Sequence, residues 1–148
     1  MKKFLYPFIF ILTAFFLISW GRLGHRTMAM VAAKHLTPKA QDAIGKLLDG
    51  ATLADIASWA DEVRGSDPAY KSTGPWHYIN LPLGLTKEQF DRQVRDMQED
   101  NVYKEVVRIE QELTQTDISE EQKAIDLKFL VHFIGDLHQP MHVSRAED

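Results

Sequence analysis

Two stretches of this sequence concentrate side chains able to do chemistry. In residues 129–142, FLVHFIGDLHQPMH, His132 and Asp136 stand four apart inside an apolar run. On a helix that spacing projects imidazole and carboxylate from one face, an arrangement that can hold a metal ion. A carboxylate in so apolar a setting is costly unless a cation or a close hydrogen-bond network compensates it, and an ordinary His–Asp hydrogen bond meets the same need. His142 follows Pro140, where the chain has left the helix and can turn back toward a neighbouring site. The second stretch joins SWADEVR, residues 58–64, to GPWHYIN, residues 74–80. Taken alone, Asp61 and Arg64 three apart make a surface ion pair of small worth. Tyr78, next to His77, suits core packing, although an aromatic face also suits an unpaired base. The chain contains no cysteine. That excludes disulfides, thiolate zinc sites and thiol nucleophiles, and leaves nitrogen and oxygen to hold any metal, the ligand set that zinc uses in hydrolytic sites.

These residues need elements to position them, and the composition describes one globular domain. Of 148 residues, 45% are hydrophobic and 26% charged, which excludes a disordered or collagen-like chain. A formal net charge of -4 argues against a basic sheath that holds duplex nucleic acid by counterion release. Residues 1–19 read as a secretory signal peptide: Lys2 and Lys3 form a basic head, residues 4–18 carry no charge, and Ser19 precedes Trp20. A membrane anchor is the weaker alternative, because a spanning helix needs about 20 apolar residues.

Helical punctuation then recurs. Residues 24–36 place Met28, Val31, Ala32 and Leu36 near a helical period, and Thr37-Pro38 supplies an N-cap and a first-turn proline for a helix over 38–48, ended by Asp49-Gly50. A third helix is expected over 54–64, with Ile56, Trp59, Ala60 and Val63 as its stripe, a loop over 65–75, and an extended segment over 76–83. Capping-box spacing at Thr86 and at Ser119 starts two more stretches, one of long polar helices around 87–115 and one running to Leu137. The fold class is all-α. His35, near a helix C-terminus, reads as structural, and His138 points about 200° from Asp136 if the helix continues, which makes it a packing residue or a support to a ligand and not itself a ligand.

Four ordered motifs run from residue 20 to residue 142: Trp20-Gly21-x-x-Gly24-His25, Trp59-Ala60-Asp61-x-x-Arg64, Trp76-His77-Tyr78-Ile79, and His132-Phe133-Ile134-Gly135-Asp136-x-His138-Gln139-Pro140-x-His142. Together they resemble the secreted single-strand-specific zinc nucleases of the S1/P1 type, which share a multi-helix fold with the zinc phospholipases C. The resemblance implies three zinc ions. One would be held by Asp61, His77, His132 and Asp136. A second would be held by the α-amino nitrogen and carbonyl oxygen of Trp20, by His25, and by Asp136 as a bridge, so that signal cleavage becomes part of site assembly. The third would take His142, its other ligands falling beyond Asp148. Residues 20–148 therefore read as the N-terminal portion of a single nuclease domain truncated at its C-terminus.

The same resemblance implies hydrolysis of single-stranded DNA and RNA, and of 3′-nucleotides, to 5′-phosphorylated products through a metal-bridged hydroxide. Asp136 and Arg64 would be catalytic, Arg64 donating to the phosphoryl oxygens. Tyr78 would stack on a base and Asn80 would bond its edge, in a position where the fungal nucleases carry aspartate. A secreted or periplasmic monomer without stable membrane association is expected. A phospholipase C-like phosphodiesterase and an inert metal-binding helical fragment are the alternatives.

Overall fold

The structure is a computed structural model that describes residues 21–147. Its centre is helix α7, Glu120–Leu137. Apolar residues lie on nearly all its sides, which is the pattern of a helix surrounded by others. Ser119 accepts from the Gln122 amide at its start, and Glu120 and Glu121 favour the positive end of its dipole. Around it pack α2 (Pro38–Leu47), α3 (Leu53–Ile56), α4 (Trp59–Ser66) and α6 (Val102–Glu112). Helix α1 covers residues 21–33, and α5 covers Lys87–Asp96.

α7 separates two apolar clusters and contributes to both. On one side Phe129 and Phe133 meet Val102, Val106 and Ile109 of α6, with Trp59, Tyr70 and Trp76 at the margin. On the other, Leu127 meets Ala29, Leu48, Leu53, Ile56 and Ala57. His132 and Asp136 share the helix with these residues and are as deeply buried.

The all-α expectation holds, with one addition. Ile79–Asn80 (β1) pairs in parallel with Val143–Ser144 (β2), Ile79 opposite Val143. This two-residue ladder, extended by Leu81 donating to the Ser144 carbonyl at 2.8 Å, ties the His77 segment to the turn that carries His142.

Local differences from the sequence reading have physical causes. The helix expected over 54–64 is two helices, because the chain turns at Ala57 and Ser58, where the Ala57 carbonyl accepts from the His132 ring. The expected loop over 65–75 is the end of α4 followed by a 3-10 helix, Pro68–His77, started by Asp67. The polar helices around 87–115 break between α5 and α6, where buried Asn101 caps α6 by accepting from the Lys104 amide at 3.1 Å. On α1 the buried residues are His25 and Ala29, while Met30 and Val31 are exposed. The inward face is set by where His25 must go, not by the greasiest stripe. Among the described residues no helix is long and apolar enough to cross a membrane.

Candidate metal centre

α7 delivers the two inner groups. His132 and Asp136 lie one turn apart on its buried face, Asp136 with 1% of its surface exposed. The His132 Nδ1 lies 2.8 Å from the Ala57 carbonyl, which can only accept, so Nδ1 carries the hydrogen. Burial pushes the His132 pKa down to about 4, against the pull of Asp136. The ring is therefore neutral at pH 7, and its Nε2 presents a bare lone pair to the interior.

That lone pair faces other acceptors. The Asp136 Oδ2 lies 3.3 Å away and the Asp61 Oδ2, contributed by α4, 3.7 Å away. The end of the 3-10 helix brings His77, whose Nδ1 sits 3.0 Å from Asp136 Oδ2, 3.2 Å from His132 Nε2 and 3.8 Å from Asp61 Oδ1. From α1, the His25 Nε2 reaches Asp136 Oδ1 at 3.3 Å, and the His25 ring stacks on His132 with centroids 3.9 Å apart. His142 completes the ring of imidazoles: its Nδ1 donates to the His77 carbonyl at 2.5 Å and lies 3.5 Å from Asp136 Oδ1. Burial alone would raise the Asp136 carboxyl, but the His25 and His77 hydrogen bonds, with the electrostatic pull of His132 and His142 at the acidic pH where it titrates, hold it well below the usual carboxylate range.

Among the described residues two triads could hold a metal ion: His25, His132 and Asp136, and Asp61, His77 and His132. His132 belongs to both, and Asp136 touches all four imidazoles. Lone pairs of a neutral imidazole and two carboxylates converging within 3.3 and 3.7 Å of one nitrogen, with few hydrogens to separate them, repel one another unless a cation sits among them. The donor set thus fits a divalent ion that accepts nitrogen and oxygen ligands.

Of the seven metal-site residues read from the sequence, five, namely His25, Asp61, His77, His132 and Asp136, thus meet around one point, with His142 at its edge. Trp20 lies outside the described residues. Arg64 donates to Asp61 Oδ1 at 3.0 Å and is partly exposed, at the rim of the cluster. Tyr78, exposed, and Asn80, half-buried, line a cleft of about 380 Å³ together with Met141, His142 and Arg145. His138 is exposed and turned back, its Nδ1 donating to the Ile134 carbonyl at 2.7 Å, away from the ligands as expected.

Four contributors escaped the sequence reading. Gly135 lets His25 lie against α7, since a Cβ there would run into the His25 ring. The Ala57 carbonyl fixes the His132 tautomer. Arg22 pairs with Glu62 at 2.5 Å and Arg26 donates to the Ala54 carbonyl at 3.0 Å, fastening α1 to α4 and α3. Gly135 had a signal, a lone glycine inside a strong helix between two candidate ligands. The backbone carbonyl had none.

The S1/P1 nuclease family model matches residues 20–148. The chain belongs to the S1/P1 nuclease family. Among curated relatives, Nuclease P1 of Penicillium citrinum is 35% identical over 135 residues, covering 83% of this chain and 47% of that protein. Nuclease S1 of Aspergillus oryzae is 31% identical over 138 residues, 86% of this chain and 45% of the relative. Endonuclease 2 of Arabidopsis thaliana is 30% identical over 140 residues, 87% and 47%. The chain thus spans about half the length of the S1/P1 nucleases it matches, and all four motifs fall inside the matched region.

Proposed function

We propose that residues 20–148 form the N-terminal portion of a secreted, zinc-dependent phosphodiesterase that cleaves single-stranded DNA and RNA, leaving 5′-phosphorylated products. The observation that carries this reading is the buried convergence of His25, His77, His132 and Asp136, with half-exposed Asp61 open to solvent beside them. Asp61, His77, His132 and Asp136 would hold one ion. His25, Asp136 and the terminal amine and carbonyl of Trp20 would hold another, once removal of residues 1–19 freed that amine. His142 would belong to a third. Zinc bound there supplies Lewis acidity, which offsets charge on a phosphodiester and makes a nucleophile available at neutral pH.

The chain's own residues do the rest. Asp136 stays ionised under four imidazoles and so presents a fixed negative charge between the two triads. The Ala57 carbonyl keeps the His132 Nε2 lone pair aimed inward, as outer hydrogen bonds do for ligating histidines. Arg64, held at the rim by Asp61, offers a planar fork of donors to phosphoryl oxygens as charge builds on them. Tyr78 presents an aromatic face beside His142, and Asn80 offers both a donor and an acceptor to the edge of a stacked base. Stacking needs an unpaired base, which gives the preference for single strands.

The direct test is zinc per chain by elemental analysis, together with digestion of denatured against duplex DNA before and after chelation. Retained zinc, with loss of single-strand cleavage on chelation, is expected. A chain that takes up no zinc would refute the centre. Release of phosphocholine from lipid, without attack on nucleic acid, would replace the nuclease by a phospholipase.

A further inference from the structure

Away from the metal centre, among the described residues, one buried carboxyl oxygen is left without a hydrogen-bond partner. Asp126, near the start of α7, is 1% exposed. Its Oδ1 accepts from Gln122 Nε2 at 2.9 Å, whereas Oδ2 has no hydrogen-bond partner. It borders a cavity of about 250 Å³ whose other walls include Tyr70, Thr73, Trp76, Arg108 and Phe129.

The charged groups close to it come from α6: Arg108, which lines the same cavity, and Glu112. Tyr70 is the titratable group that the 3-10 helix adds to the same cavity. Arg108 is already committed. Its Nε and Nη2 donate to Glu105 at 2.9 and 2.8 Å, its Nη1 to Glu112 at 2.5 Å, and its guanidinium lies 5.7 Å over the Trp76 ring. Glu112, the carboxylate adjoining Asp126, is itself an acceptor. Two ionised carboxylates there would set like charges side by side with Asp126 wholly buried, which disfavours the second charge. A metal ion does not resolve this, since the metal-binding groups found among the described residues are the two in the central cluster. A proton does.

We propose that Asp126 stands in the folded protein as a neutral carboxylic acid sharing its proton with Glu112, and that this proton closes the α6–α7 clasp holding Arg108 over Trp76, next to His77. Burial raises the Asp126 carboxyl above the ordinary value of 3.8, the Gln122 hydrogen bond opposes it, and the charge of Glu112 raises it further. A carboxyl raised on folding contributes stability that is complete below its unfolded value and is lost as pH rises through its folded value. The clasp is thus tightest in mild acid and loosens toward alkaline pH.

Thermal melts of the full chain and of Asp126→Asn, taken from about pH 4 to about pH 8, test this. The amide keeps the shape and a donor for Glu112 but carries no charge. The variant should match the parent near pH 4 and melt about 3–6 °C higher near pH 8. A difference that does not change with pH, or a variant that melts lower at pH 8, overturns the proposal. Glu112→Gln, which can donate to an ionised Asp126, should flatten the same pH dependence. An infrared difference between parent and Asp126→Asn, taken just above the ordinary carboxyl value of 3.8, should show a protonated carboxyl band belonging to residue 126. Its absence also overturns the proposal.

Discussion

At the scale of single residues, a few atoms decide what the centre can do. His132 is neutral because burial disfavours its cation, and Asp136 is anionic because imidazoles surround it. Both pKa values lie below their unfolded counterparts, so both groups contribute stability that is complete above the unfolded values and fades as pH falls. For His132 that window runs from 6.5 down to about 4. The melting temperature should therefore drop across this window, and a Gln at position 132 should flatten the drop; an unchanged slope would contradict the assignment. Asp126 carries the opposite sign, which makes the two sites separable in one pH series. Gly135→Ala drives a methyl into the His25 ring and should destabilise by about 1–3 kcal/mol, the range for overpacking, with weaker zinc retention. Gly45→Ala, in the last turn of α2 where an added Cβ meets nothing, should instead stabilise by up to about 0.5–1 kcal/mol. Denaturant titration of the pair checks both.

At the scale of elements, the capping signals were the most legible part of the sequence. Thr37, Thr86 and Ser119 each cap the helix expected of them. Thr86 and Gln89 form the complete reciprocal box, while Gln122 leaves Ser119 half-partnered and turns to Asp126. The break between α5 and α6 was illegible, because a polar run shows little period and Asn101 reads as one more polar residue. Its role appears only in the fold, where it caps α6 and also donates to the Glu99 carbonyl at 3.0 Å. Asn101→Ala should cost about 1–2 kcal/mol in chemical denaturation, the upper range for a lost N-cap. Glu62→Gln, which weakens an exposed tie to Arg22, should cost under about 1 kcal/mol.

At the scale of the whole molecule, the centre is a junction of four separate segments. α1, α4, the 3-10 helix and the turn after α7 each supply groups that meet the two from α7, across sequence separations as large as that of His25 and Asp136. A metal ion at such a junction binds the folded state and not the unfolded one. Zinc at about 100 times its dissociation constant should therefore stabilise the chain by about 2.7 kcal/mol. Calorimetry with added zinc, then with chelator, should show a reversible rise in melting temperature. No response to zinc would mean that the segments meet for packing alone.

The sequence by itself determined the helical class, most helix starts and the His132–Asp136 pair, because caps, periods and that spacing act within a turn or two of backbone; His25, Asp61 and His77 were drawn in by the resemblance to the S1/P1 nucleases. Only the tertiary structure decided which nitrogen of His132 is bare, why Gly135 must lack a side chain, and how a parallel pairing of two residues returns His142 to His77. Those depend on the rotation of distant segments about a shared core, and no short-range pattern encodes a rotation.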